Sequence, residues 1–139
     1  MKYHVNAWGG DTEAFKKGFV KALELTFQSE HKSLLIRIGL LDNARGIMMD
    51  VLGEKFTKKL IKEKAIDFTL EGRRISINLE GDRTRRTAFR SGVIFCPWAA
   101  PDTLLDVIQD YRQIDMVYVP WMEKERDDYI ISNPDSVEI

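Results

Sequence analysis

Residues 92–121 read GVIFCPWAAPDTLLDVIQDYRQIDMVYVPW. Val93 to Phe95 is an apolar run that stops at Pro97-Trp98, and Met116 to Val119 is a second run that stops at Pro120-Trp121. The segment between them is amphipathic. Two strands separated by a helix leave no room for a tight hairpin, so the stretch predicts a right-handed parallel crossover.

The residues before it repeat the same rhythm. Tyr3 to Trp8 alternates weakly and suits a first strand, and Gly9-Gly10-Asp11 punctuates the handover to a helix. From Thr12 to about Glu30, Phe15, Phe19, Leu23 and Phe27 recur every four residues, which predicts a helix with a phenylalanine-rich buried stripe. Ser33 to Leu41 is nearly continuous in apolar residues, as in a central strand covered on both faces. Asp42 or Asn43 then suits a helix cap and Gly53 a helix stop, with a basic helix over Glu54 to Glu63. Ile66 to Leu70 and Ile75 to Leu79 flank Glu71-Gly72-Arg73-Arg74 and read as an antiparallel hairpin. Residues 80–91 form an arginine-rich connection, 122–131 a short helix, and 132–139 a polar tail. This order predicts one α/β domain over residues 1–139: a compact three-layer sandwich, Rossmann-like or flavodoxin-like, with a mostly parallel sheet and a hairpin at about 66–79.

Composition narrows the function classes. The 139 residues carry 44% hydrophobic and 31% charged side chains, normal for a folded soluble domain. A formal net charge of −1 argues against a protein built on bulk phosphate neutralisation, so nucleic acid is not the expected partner. No apolar run approaches the roughly 20 residues that span a bilayer. The opening MKYHVNAWGGDTEAF lacks the apolar core of a signal peptide, and Cys96 is a single cysteine. The expectation is a cytoplasmic protein without a membrane partner.

Ligands of parallel sheets bind beyond the carboxyl ends of the strands. Trp8, Trp98 and Trp121, all three tryptophans of the chain, fall at predicted strand ends. Each ring either stacks on a flat ligand or packs its corner onto the core. Gly9, Gly10, Asp11 and Thr12 occupy the turn where backbone N–H groups can approach an anion, but the pattern is neither GxGxxG nor GxxxxGKS. Asp11 would repel a phosphate while suiting a ribose hydroxyl, or it serves as a plain helix cap. Asp42, Asp102 and Glu123 are further strand-end acids, explained by capping as readily as by acid–base work. His4 and His31 lack metal-ligand spacing, Cys96 lacks the loop of a phosphatase thiolate, and there is no GxSxG, so neither a metal nor a cofactor is expected.

Charge is unevenly spread. Residues 73–90 hold six arginines against two acids, a net of +4, and residues 122–139 hold six acids against two bases, a net of −4. Arg83, Arg85 and Arg86 are candidates for a phosphate contact. Alternatively the loop is solvated and pairs with the acidic tail, within the chain or across a dimer. The leading expectation is therefore a small-molecule binding domain for a nucleotide or phosphorylated sugar, with no reaction assigned. The alternatives are a homodimeric interaction protein and, last, a nucleic-acid contact through residues 83–90.

Overall fold

A computed structural model describes residues 1–39, 41–84 and 86–139, without the side chains of 41–44. Leu40, Arg85 and the Asp42 carboxylate thus lie outside the described residues. The elements follow the order β1 (Lys2–His4), α1 (Thr12–Gln28), β2 (Ser33–Arg37), α2 (Leu41–Leu52), α3 (Glu54–Glu63), β3 (Ala65–Leu70), β4 (Arg73–Glu80), β5 (Gly92–Pro97), α4 (Pro101–Gln109), β6 (Gln113–Val119), α5 (Glu123–Ser132) and β7 (Val137–Glu138).

Among the described residues seven strands form one sheet in the order β3-β4-β2-β5-β6-β1-β7. Its pairings are parallel except for the β3–β4 hairpin. The order differs from the 3-2-1-4-5-6 and 2-1-3-4-5 orders of the common doubly wound sheets, because the first strand lies next to last. The 92–121 stretch forms the predicted crossover: β5 and β6 are parallel neighbours joined by α4.

Alternation along the strands builds a three-layer sandwich. Leu34, Ile36, Val93, Phe95, Val117 and Val119 join one buried cluster with Phe15 and Phe19 of α1, Met48 of α2 and Leu60 of α3. Leu35, Ile94, Cys96, Met116 and Tyr118 point to the other cluster, with Val107 of α4 and Tyr129 of α5. Both faces of the central strands are thus covered, which is why they read as unbroken apolar runs. Asp11 starts α1, its Oδ1 accepting from the Glu13 N–H at 2.9 Å. The helix then approaches the sheet closely at Gly18, where an added Cβ would stand 2.8 Å from Val119 Cγ2 and 2.9 Å from Phe95. No described helix is long and apolar enough to cross a membrane.

Three expectations need correction. The first strand closes at His4, so residues 5–8 form a connection toward the rim rather than strand. The second strand closes at Arg37, and α2 begins at Leu41, which places Asp42 and Asn43 inside the helix instead of at its cap. Residues 132–139 are not simply a tail: Tyr3 pairs with Val137 and His4 with Glu138, making β7 an edge strand.

The β4–β5 connection carries no helix among its described residues, 81–84 and 86–91. It passes over β2 on the second face, where Phe89 joins the buried cluster. A polar network holds it there. The Glu80 carboxylate accepts from the Thr87 N–H and hydroxyl, both at 2.8 Å, and from the Arg112 guanidinium at 2.9 and 3.0 Å. Arg112 also donates to Asp110 at 2.8 Å and to the Phe89 carbonyl at 3.3 Å.

Candidate functional site

The sheet order places β5, β6 and β1 side by side and parallel, so their carboxyl ends share one rim. The three tryptophans follow these three strands. Trp98 succeeds β5 directly, and its backbone N–H donates to the Val119 carbonyl at 2.7 Å, extending the β5–β6 ladder past the strand end. Trp121 follows β6 after Pro120, and its carbonyl accepts from the Gly9 N–H at 2.7 Å. Gly9 makes this approach with φ +87°, a conformation that favours glycine. Gly10 lies next to the Trp121 ring, 3.5 Å from the place a Cβ would occupy.

The rings form a partial cluster. Trp98 meets Trp121 edge to face with centroids 5.4 Å apart, and leans on Phe15 of α1 at 5.5 Å. Trp98 is half-buried, whereas Trp8 and Trp121 keep 47% and 48% of their surface exposed. Trp8 stands apart from that pair beneath Arg126, whose guanidinium lies 4.5 Å from the ring centroid. Arg126 is anchored by Asn6 at 3.1 Å and Asp127 at 2.8 Å. Such a cation over an indole is favourable by about 0.5–1 kcal/mol at an exposed site.

Two features of Trp98 run against plain core packing. Its φ is +55°, a left-handed conformation costing about 1–3 kcal/mol in a bulky residue. Its indole N–H is buried with no hydrogen-bond partner among the described residues, and an unsatisfied donor of this kind costs about 1–3 kcal/mol. An acceptor arriving beside that N–H would recover the second cost.

The other predicted residues divide. Asp11 caps α1, and Thr12 opens that helix on the exposed surface. Asp102 and Glu123 sit in the first turns of α4 and α5, where a carboxylate suits the helix dipole, but neither is the cap: those positions are Ala100 and Met122. The described arginines of the loop, Arg83 and Arg86, are not in contact with the tryptophans. Arg86 lies over the Tyr111 ring at 5.7 Å, before β6 begins, while Trp121 lies beyond its far end. Roughly 20 Å of strand separates the two positions. Arg83 is exposed in the turn after β4, two places from β5 and three from β6 in the sheet, roughly 10 and 14 Å across. The acidic tail pairs elsewhere, Asp135 with Lys2 at 3.2 Å and Asp128 with Lys124 at 2.7 Å.

A second concavity, of about 410 Å³, opens between the 81–91 loop and α4 and is lined by Arg37, Asp82, Arg86, Asp106 and Asp110 among others. Its charges are largely matched: Asp82 pairs with Arg37 at 3.0 Å and accepts from the Thr103 hydroxyl at 3.1 Å. Burial pushes the Glu80 and Asp110 carboxyls up, but hydrogen bonds from Arg112, helped at Glu80 by Thr87, bring both below the ordinary carboxylate range. That cleft is a structural clasp.

Sequence reading missed Phe15 as a rim residue, because its spacing marks it only as core. It also missed Arg126, Asn6 and Arg112, whose partners lie far along the chain or carry no local pattern. Among the described residues no three histidines, cysteines or acids gather where a metal ion could be held. No family model, curated protein or solved structure matches this chain.

Proposed function

We propose that the chain is a small-molecule binding domain that takes a nucleotide or phosphorylated sugar by its ring at the carboxyl rim of β1, β5 and β6. One observation carries the reading: Trp98, held at φ +55° between Phe15 and Trp121, buries an indole N–H without a partner among the described residues. Strain and an unsatisfied donor in one residue concentrate at sites that bind. The exposed Trp121 ring offers a stacking face, Trp98 a donor, and the Gly9–Gly10 turn a close backbone approach. Asp11 adds negative charge at the start of α1, which suits hydroxyls better than phosphate. Arg126 supplies a cation at this rim, and a phosphate would meet it rather than Arg83 or Arg86.

The test is tryptophan emission during titration with nucleosides, nucleotides and sugar phosphates. A binder should shift the emission, and Trp121→Ala should weaken it roughly tenfold or more, since one stacked ring contributes about 1–3 kcal/mol. A panel that leaves the emission unchanged sinks the reading. A homodimer joined through the hairpin is the second reading, favoured by β3 standing at the sheet edge with Leu70 46% exposed. Native mass spectrometry distinguishes it, because a dimer mass lost on Leu70→Lys would implicate that edge.

A further inference from the structure

We propose a second binding site in the groove between α4 and α5, on the opposite face of the sheet from α1, for a small phenolic amine. The groove encloses about 190 Å³, below the size of drug-like pockets and suited to a single ring with a short arm. Leu104, Leu105 and Ile108 of α4 form one wall, Glu125 and Asp128 of α5 stand on the other, and Tyr118 of β6 lines it between them.

Tyr118 supplies the first argument. The residue is fully buried, and its hydroxyl has no hydrogen-bond partner among the described residues. The adjacent Tyr129 ring, 4.8 Å away, has its own hydroxyl within 2.8 Å of Ser136 Oγ. The same chemistry is therefore satisfied in the neighbouring tyrosine, which also lines the groove, and the orphan is specific to Tyr118. A phenylalanine would fill this place without burying an unpaired hydroxyl, so the oxygen is useful only when a polar group enters.

Charge supplies the second. Among the described residues lining the groove, two carboxylates face no lining cation. Glu125 accepts the Met122 N–H through Oε1 at 3.1 Å, and Asp128 pairs with Lys124, a surface ion pair of 80% and 61% exposed side chains. Exposed pairs of this kind are weak, so an incoming ammonium can compete for Asp128 and also meet Glu125. Leu105, half exposed, offers apolar surface to the ring. A ligand that satisfies all three features has a flat apolar body, a protonated amine and a hydroxyl for Tyr118.

Tyramine is the probe, with phenethylamine lacking the hydroxyl and 4-hydroxyphenylacetate reversing the charge. Binding is read from amide chemical shifts of the labelled full chain. Tyramine should shift residues of α4 and α5 and bind at least fivefold tighter than either analogue. Tyr118→Phe should erase the advantage over phenethylamine while raising the melting temperature of the free protein, which keeps loss of binding distinct from loss of fold. Glu125→Gln with Asp128→Asn should erase the advantage over 4-hydroxyphenylacetate. Equal affinity of tyramine and its analogues, no shift in α4 or α5 at millimolar tyramine, or a Tyr118→Phe variant that binds tyramine as the parent does would each overturn the proposal. Trp121→Ala should leave this binding unchanged, so the result stands apart from the tryptophan rim.

Discussion

Replacing Arg112 by methionine tests whether a buried ion network stands in for a helix over β2. The Arg112 and Glu80 side chains are each 5% exposed and Asp110 is 10% exposed. Removing the guanidinium loses its contact with the Phe89 ring, 5.4 Å from the centroid, and strands two buried carboxylates. Breaking a buried pair from one side costs about 3–5 kcal/mol. At this chain length that corresponds to a fall in Tm of roughly 10–17 °C. The pH dependence should change sign as well. In the parent, both carboxyls lie below their ordinary values, so their contribution is full above the unfolded pKa and is lost as pH falls through the folded one. Without Arg112, burial is the largest single influence left on both, opposed at Glu80 by the two Thr87 hydrogen bonds and at Asp110 by the residue-112 N–H and Arg86. Burial is expected to prevail and raise both. Their folded forms then favour the proton, and stability is lost as pH rises through the raised folded pKa. Urea unfolding at pH 5 and pH 7.5 reads both effects: Arg112→Met should be damaged more at pH 7.5 than at pH 5. Adding Glu80→Gln and Asp110→Asn should restore part of the loss, because neutral amides tolerate the site better than unpaired charges. A loss below about 1 kcal/mol, or a pH profile parallel to the parent's, would refute the reasoning.

Two further outcomes follow from the packing. Gly18→Ala should lose about 1–3 kcal/mol in urea unfolding, because its Cβ would press on the Phe95 ring and Val119, both buried; a neutral effect would mean that α1 sits less closely on the sheet. Burial pushes the Cys96 thiol far up, so a thiol reagent should leave the native protein unmodified at pH 8 and label it fully in urea; rapid native labelling would show that β5 opens readily.

The element pattern was legible in the sequence to within a few residues at most boundaries. The four-residue spacing of Phe15, Phe19, Leu23 and Phe27, and the unbroken runs of β2, β5 and β6, are local consequences of helical and strand periodicity. The tryptophan corners were legible too, since Pro97-Trp98 and Pro120-Trp121 each end a strand. Other features carry no such mark. β7 is two residues long, too short to alternate, and it exists through pairing with β1 at the other end of the chain. The arginine cluster at residues 73–90 drew attention by its density, yet the buried cation of that region is Arg112, isolated in sequence and made important by Glu80 thirty-two residues earlier.

By itself, then, the sequence determined the crossover, the hairpin, the three-layer class and the placing of all three tryptophans after strands. Only the tertiary structure decided that β1 lies beside β6, which brings Trp8 to the same rim as Trp98 and Trp121. It also decided that Arg86 lies over Tyr111 at the other end of β6, and that Trp98 and Tyr118 each bury a polar atom without a partner among the described residues. The reason is physical. Periodicity is set by neighbours a few residues apart, whereas strand order and hydrogen-bond satisfaction depend on which distant segments share the sheet once both its faces are buried.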